Sequence, residues 1–335
     1  MNDTPIMSAT APPSGFEANR AKAVRRLVQT LGIGFFYILV LVFFSIASGN
    51  FFTYSNALNI LTNVAVIGIV ALGQALTIIS GGFDLSVGGT MPLGAVLFAL
   101  FSNAGYGFPL SSALVLAAGA CVGLFNGLVI TKLKINPLIA TLGTLSITSG
   151  LAFTVSDGVT IPLTDAADGW LADFAFNGVS YYLLAFAVLA GAMAVLLRFT
   201  LFGRMLYSVG GNREASHLAG IRVDAVTVAV YMICAALSAF AGIVIASQLL
   251  AGSATVGSDA ALSSIAAVVL GGASLTGGIG GIGGTLIGVL ILGTIANGMV
   301  LMQVPAFYQQ IATGAILLLG VGFARLRESL SQRAG

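Results

Sequence analysis

The sequence predicts an all-α, polytopic membrane protein with about ten spans, some of them short or broken. Three observations predict it. First, 58% of the 335 residues are hydrophobic and 7% are charged, against about 25% charged in a soluble domain. A surface that apolar cannot be kept in water. Second, mean hydropathy is +1.04, and apolar runs recur near the roughly 20-residue length that a bilayer requires. Third, when those runs are threaded alternately across a membrane, all 13 basic residues fall on one side. Positive-inside bias makes that side the cytoplasm. The net charge of +2 says little as a sum. No basic face points to nucleic acid.

Met1 to Thr30 is polar, carries Pro5, Pro12 and Pro13, and ends in Arg20, Lys22, Arg25 and Arg26. It lacks the apolar core and cleavage site of a signal peptide. Residues 1–30 therefore read as a cytoplasmic tail. Spans follow at Leu31–Ser48, Ala57–Ile79, Met91–Asn103, Leu110–Thr131 and Pro137–Val155. The remainder are Tyr181–Leu197, Ala225–Leu250, Leu262–Gly271, Gly283–Met302 and Ala306–Phe323. The third and eighth are short and read as broken or half-spans. Residues 31–323 make one transmembrane domain, and 324–335 form a second cytoplasmic tail.

Charge supports this threading. The internal segments collect Lys132, Lys134, Arg198, Arg204, Arg213 and Arg222, and the last tail collects Arg325, Arg327 and Arg333. The external loops carry no base and hold Asp157, Asp165, Asp168, Asp173 and Asp259. The one long external loop, Ser156–Ser180, has two open readings. It is a solvated loop with Trp170 as an interface anchor, or a docking surface for an external partner. Cys121 and Cys234 fall in apolar runs and read as small buried hydrophobes. No spacing of ligating residues points to a metal.

Glycine spacing carries the next signal. Gly119, Gly123 and Gly127 recur every fourth residue, as do Gly280, Gly284 and Gly288. On a helix each set makes a smooth face that another helix can approach closely. The stretch Ile79-Ser80-Gly81-Gly82-Phe83-Asp84-Leu85-Ser86-Val87-Gly88-Gly89 is echoed by Leu270-Gly271-Gly272-Ala273-Ser274-Leu275-Thr276-Gly277-Gly278. Glycine-broken segments at matching positions of an internal repeat are a mark of transporter cores. Gly81, Gly82, Gly88, Gly271 and Gly272 are thus expected to be hinges or close-packed turns near a translocation path.

Asp84 is the one ionisable residue expected at bilayer depth. Two roles stay open for it: capping the helix that follows, or meeting a substrate or proton directly. The neutral span residues Asn63, Gln74, Thr77, Asn126, Thr141, Thr144 and Asn297 suit a neutral, hydroxyl-rich solute. They equally suit hydrogen bonds between helices. Ser86, Asn126 and Asn297 join Asp84 as candidates for the path.

The cytoplasmic segment 198–224 contains one more element. Asn212 is a good helix N-cap, Glu214 suits a first turn and Gly220 suits a stop. A helix of about two turns is marginal alone in water. Docking into a partner explains it best. The expected contact residues are Gly210, Gly211, Asn212, Arg213, Glu214, Ala215, His217 and Gly220.

The run Gly-Gly-Asn-Arg-Glu-Ala followed by Ala-Gly-Ile-Arg-Val resembles the coupling segment of the ribose-type permease subunits of bacterial ABC sugar importers. The resemblance extends to Asn50-Phe51-Phe52-Thr53, Ser80–Gly88, Ile265–Ser274 and Gly284–Gly288, in the family's order. It implies a permease that moves a pentose or hexose across the bacterial inner membrane by alternating access. It also implies a second permease copy, identical or related, two cytoplasmic ATPases and a periplasmic sugar-binding protein. Many relatives carry acids just before the Ile-Ala-Ala run, where this chain has Ala260-Ala261-Leu262-Ser263-Ser264, so no role of those acids transfers. The chain has no Walker A motif. ATP and Mg are therefore expected on the partner ATPase, and no cofactor on this chain, which is not expected to be an enzyme. The competing reading is a stand-alone, ion-coupled transporter that uses Asp84. A membrane enzyme is disfavoured because the lone histidine, His217, lies in the cytoplasmic segment.

Overall fold

The computed structural model describes residues 33–305 throughout, and helical residues scattered between 307 and 322. Both tails, with their bases, lie outside the described residues, as does part of the tenth expected span. The first hairpin is α1 (Ile33–Ala47) and α2 (Tyr54–Ile79). Thr53 caps α2 by accepting from Asn56 N at 3.2 Å. Next come α3 (Val87–Phe101), a π turn at Ser102–Tyr106, and α4 (Gly107–Lys132). α5 (Pro137–Val155) starts on a proline, and Asn136 caps it by accepting from Leu138 N at 2.9 Å. Proline at the first helical position loses nothing, because that N–H has no helical partner. α6 (Tyr181–Phe199), α7 (Leu201–Gly211), α8 (Arg213–Leu218), α9 (Val223–Leu249), α10 (Ala260–Leu270) and α11 (Ile282–Leu301) complete the described helices.

Among the described residues, six stretches are long and apolar enough to cross a membrane. One of them, Val87–Lys132, is α3 and α4 in succession. Gly105 and Gly107 turn the chain between them at φ +85° and +65°. α9 is the central post. α3 packs closely on it, with Gly94 at Ala239 and Gly242 at Met91 and Ala95. α4 runs back the other way, with Gly119 at Ala235 and Ala239, Gly123 at Tyr231 and Met232, and Gly127 at Val228. This glycine ladder lets two backbones meet where any side chain would hold them apart. The second ladder holds only in part. Gly284 and Gly288 pack α11 onto Gly271 and Ala267 of α10, while Gly280 precedes the helix and sits against Ile79 and Ala273.

The loops gather at two opposite ends, as the threading required. At one end Ile79, Gly81, Gly210, Gly277 and Gly278 meet, and Lys132 pairs with Asp224 at 2.9 Å. At the other, Asn103 bonds Pro162 O and Thr164 N at 2.9 and 2.8 Å, and Tyr54 bonds Asn177 O at 2.8 Å. The described bases lie at the first end, and Asp157, Asp165, Asp168 and Asp173 at the second.

Five features depart from the sequence reading. The all-α expectation meets four short strands. The long external loop is ordered rather than merely solvated: β1 (Ile161–Pro162) pairs with β4 (Ala251–Gly252), and β2 (Phe174–Phe176) pairs with β3 (Val179–Ser180). Trp170 is clamped edge-on between Phe108 and Tyr181, at 5.0 and 5.2 Å, and Ser102 bonds the buried Asp168. α3 begins at Val87, so Gly88 and Gly89 stand in its first turn and not in a loop. Cys121 is exposed, although Cys234 is buried as expected. Asp259, expected in an external loop, sits deep, for a reason that the half-helices explain.

Gly89 packs on Leu145, Thr148 and Ser149 of α5. Leu145 is about 12 Å from the start of α5 and about 15 Å from its end, at 1.5 Å per residue. α3 therefore starts near mid-membrane. Gly88 also faces Ser258 and Ala261, so α10 starts at the same depth. Its 11 residues reach about 16 Å, half of a bilayer core. Irregular chain from Ser253 to Asp259 precedes it, which is why the sequence shows only a short apolar run there.

Candidate functional site

The candidate site is the pair of glycine breaks and the segment between α6 and α9 that meets them. α2 ends in a Schellman cap. Gly81 N bonds Ile78 O at 3.0 Å and Gly82 N bonds Thr77 O at 2.9 Å, with Gly81 at φ +84°. Only glycine takes that conformation without strain. The chain then rises inside the bundle. Asp84 Oδ1 accepts from Ser86 N at 3.0 Å and from Ser86 Oγ at 2.5 Å, which closes an Asx turn. Ser86 stands at the N-cap position of α3.

Side chains from four helices hold this turn. Asn126 Nδ2 on α4 donates to Ser86 Oγ at 2.9 Å, and Thr144 Oγ1 on α5 donates to Asn126 Oδ1 at 2.6 Å. Tyr231 OH on α9 donates to Phe83 O at 3.1 Å. The Gln74 amide on α2 pairs with the Asp84 backbone, nitrogen to O at 3.1 Å and oxygen to N at 3.2 Å. Asp84, Ser86, Asn126 and Gln74 are all fully buried. A buried polar group left without a partner is costly, so a connected network of this kind specifies one geometry. Asp84 Oδ1 thus closes the turn that leads into α3, while its Oδ2, also buried, has no partner among the described residues.

The second break repeats the device. α10 ends with Gly272 N on Val269 O at 2.9 Å and Ala273 N on Val268 O at 3.2 Å, with Gly272 at φ +89°. Ser274 Oγ accepts from Thr276 N at 3.3 Å and pairs with Thr276 Oγ1 at 2.8 Å. This is a serine turn at the spacing of the Asp84–Ser86 turn. Here the chain leads to Gly277 and Gly278, both at positive φ, before α11 begins.

The segment between α6 and α9 holds two helices where the sequence reading had one. α8 is as expected. Asn212 Oδ1 accepts from Ala215 N at 2.9 Å, Glu214 lies in the first turn, and Gly220 closes a third Schellman cap through Ile221 N on Ser216 O at 3.0 Å. Glu214, Ala215, His217 and Leu218 are exposed, and Arg213 reaches Thr227 on α9 at 3.2 Å. α7 was missed. Thr200, which accepts from Gly203 N at 3.2 Å, and apolar Phe202, Met205, Leu206 and Val209 at helical spacing were its signals.

α7 is what reaches the breaks. A Cβ at Gly210 would overlap Ile79 O and fall 2.7 Å from Gly278 N. A Cβ at Gly277 would fall 2.7 Å from Gly210 O and 2.8 Å from Gly81 Cα. Gly278 N donates to Ile79 O at 2.8 Å, which joins the two breaks directly. Tyr207 OH donates to Gly280 O at 2.9 Å. Gly211, next in line, lies beside Gly278, but a Cβ on it would point into open space.

The structure thus assembles most of the candidates. Gly81 and Gly210 meet at one junction while Gly82 sits beside Tyr231, Asp84, Ser86 and Asn126 form one network above the junction, and Gly271 and Gly272 cap α10 beside α11. Asn297 stands apart. It donates to Asn56 Oδ1 at 2.9 Å, roughly 35 Å up α2 from the junction at 1.5 Å per residue. Gln74 and Thr144, two of the polar span residues suited to bonds between helices, belong to the site, and so do Tyr231 and Thr276, which the sequence reading does not single out. A lone amide or hydroxyl in an apolar run does not reveal its partner.

Residues 56–321 match the family model described as branched-chain amino acid transport system / permease component. Among curated proteins, the chain is 40% identical to the ribose import permease protein RbsC of Bacillus subtilis, over 88% of this chain and 92% of that one. It is 34% identical to the L-arabinose ABC transporter permease protein AraH of Azospirillum brasilense, over 97% and 96%. It is 36% identical to RbsC of Escherichia coli, over 85% and 90%. No solved structure matches the chain. With an apolar helical bundle matched along most of its length, the chain belongs to this transport permease family.

Proposed function

We propose that the chain is the membrane-spanning permease of an ATP-driven importer for a monosaccharide, a pentose or hexose, and that it works by alternating access. The observation that carries the reading is the glycine junction, where one exposed, well-capped helix pair abuts both broken segments. In this reading α8 docks on a cytoplasmic ATPase through Glu214, Ala215, His217 and Leu218. Closure of two ATPases around ATP and Mg moves α7, and Gly210 carries that movement to the turns at Gly81 and Gly277. A loaded sugar-binding protein biases the opposite end. A ligand shifts such an equilibrium only by its differential affinity for the two states. The names of the relatives, which speak of ribose and L-arabinose import, support a small sugar.

The same proposal includes about ten spans, with both tails in the cytoplasm and a second permease copy alongside. Complete positive-inside placement supports the orientation. The function is tested by uptake of D-ribose and L-arabinose in cells with and without the cognate ATPase. Uptake that survives loss of the ATPase would overturn the reading in favour of ion coupling. In the same cells, a membrane-impermeant thiol reagent should reach Asp157→Cys from outside and not Lys134→Cys. The reverse pattern would invert the topology.

A further inference from the structure

We propose that Asp259, with Ser258 and Thr255 beside it, lines the water-filled part of the translocation path and accepts hydrogen bonds from the hydroxyls of a polyhydroxylated solute. The identity of the solute rests on the importer reading; the contact with water does not.

Depth is the first ground. Ser258 O and the Ala261 side chain lie 3.1 and 3.4 Å from the Cβ position of Gly88, and Leu145 lies 3.3 Å from it. Leu145 is near the middle of α5, so Asp259, between Ser258 and Ala261, is near mid-membrane. Exposure is the second ground. Thr255, Ser258 and Asp259 are exposed, while Ala254, Ala260 and Ala261 beside them are buried. Asp259 occupies the N-cap position of α10, yet its side chain makes no capping bond. Ser146, one residue along from Leu145 on α5, is exposed at the same depth.

Facing lipid does not account for these facts. Aspartate is among the least tolerated residues at the centre of a bilayer, and such residues face a bundle interior or a water-filled cavity. Non-helical backbone at membrane depth survives only where protein or an aqueous cavity surrounds it. The segment Ser253–Asp259 satisfies both conditions when its exposed side meets water, and a thiol there that is covered by a second permease copy instead would react slowly in the test below. A carboxylate there, flanked by two hydroxyls, presents acceptors to a solute whose outer atoms are O–H donors.

The test uses the complete transporter in intact cells and in inside-out vesicles, in a Cys121→Ala background that leaves the buried Cys234 in place. Asp259→Cys is treated with a charged, membrane-impermeant methanethiosulfonate. Val188→Cys, on the exposed middle of α6 at 71% exposure, serves as the comparison. Asp259→Cys should react at least about tenfold faster from one side, because a thiolate forms only in contact with water. Equal, slow reaction at both positions overturns the proposal. In a second arm, Asp259→Leu should lower D-ribose or L-arabinose uptake about tenfold, while Asp259→Asn, which keeps an acceptor, should lose less. Full uptake by Asp259→Leu overturns the solute contact. If the unsubstituted transporter takes up neither sugar, the importer reading fails, and the labelling arm still decides whether the path is wet.

Discussion

The two breaks begin alike and end differently. Both close their helix with a Schellman cap on a left-handed glycine, Gly81 or Gly272, and both follow it with a side-chain turn, Asp84–Ser86 or Ser274–Thr276. The first then climbs into the bundle, where Gln74, Asn126, Thr144 and Tyr231 hold it. The second stays at the membrane end and is held mainly by backbone, through Gly278 N on Ile79 O and Ser274 N on Ile279 O. The difference teaches that one local motif serves two purposes. In the first break it starts a half-helix at mid-membrane, and in the second it turns a half-helix round at the surface.

The largest expected effect comes from breaking what the two breaks share. Gly210→Ala places a methyl against both at once. Overpacking of this kind costs about 1–3 kcal/mol, so sugar uptake should fall about tenfold or more at matched membrane expression. Gly211→Ala points into open space and should transport normally. Equal behaviour of the two variants would show that the junction transmits nothing.

Asp84 sharpens the comparison from the side of the first break. If it organises the backbone, Asp84→Asn keeps the accepting oxygen, and Asp84→Leu removes it. A cap of this type contributes roughly 0.5–2 kcal/mol. The Asn variant should retain much of the uptake and the Leu variant should lose it. Equal loss in both would favour proton transfer, because neither side chain titrates.

The smallest effect belongs to the second break. Ser274→Ala removes the neutral turn contacts to Thr276, each worth about 1 kcal/mol, from a segment that backbone bonds also hold. Uptake should change less than about twofold. A loss as large as that of Asp84→Leu would mean that the two turns are functionally equivalent after all.

Much of this was legible in the chain. Periodic apolar runs, Asn136-Pro137, and Asn212 with Gly220 each act within a few residues, and each formed the expected element. The echo between the breaks was visible because a Schellman cap needs its glycine at a set place. α7 went unread because a helix that lies against a bundle, rather than across it, lacks the length and uniform apolarity of a span. Gln74 and Thr144 were legible as polar span residues, but not their partners, Asp84 and Asn126, which lie elsewhere in the chain.

By itself the sequence determined a helical membrane protein, the sorting of its loops onto two faces, and the caps that stop each helix. These follow from side-chain chemistry acting on bilayer and water, which needs no knowledge of neighbours. Only the tertiary structure decided that three distant glycine segments touch, that Asn297 lies far from Asp84, and that Asp259 stands at mid-membrane. Those outcomes depend on where α3 and α10 begin along α5 and α9. Helix depth is set by packing between backbones, and no local pattern along the chain encodes it.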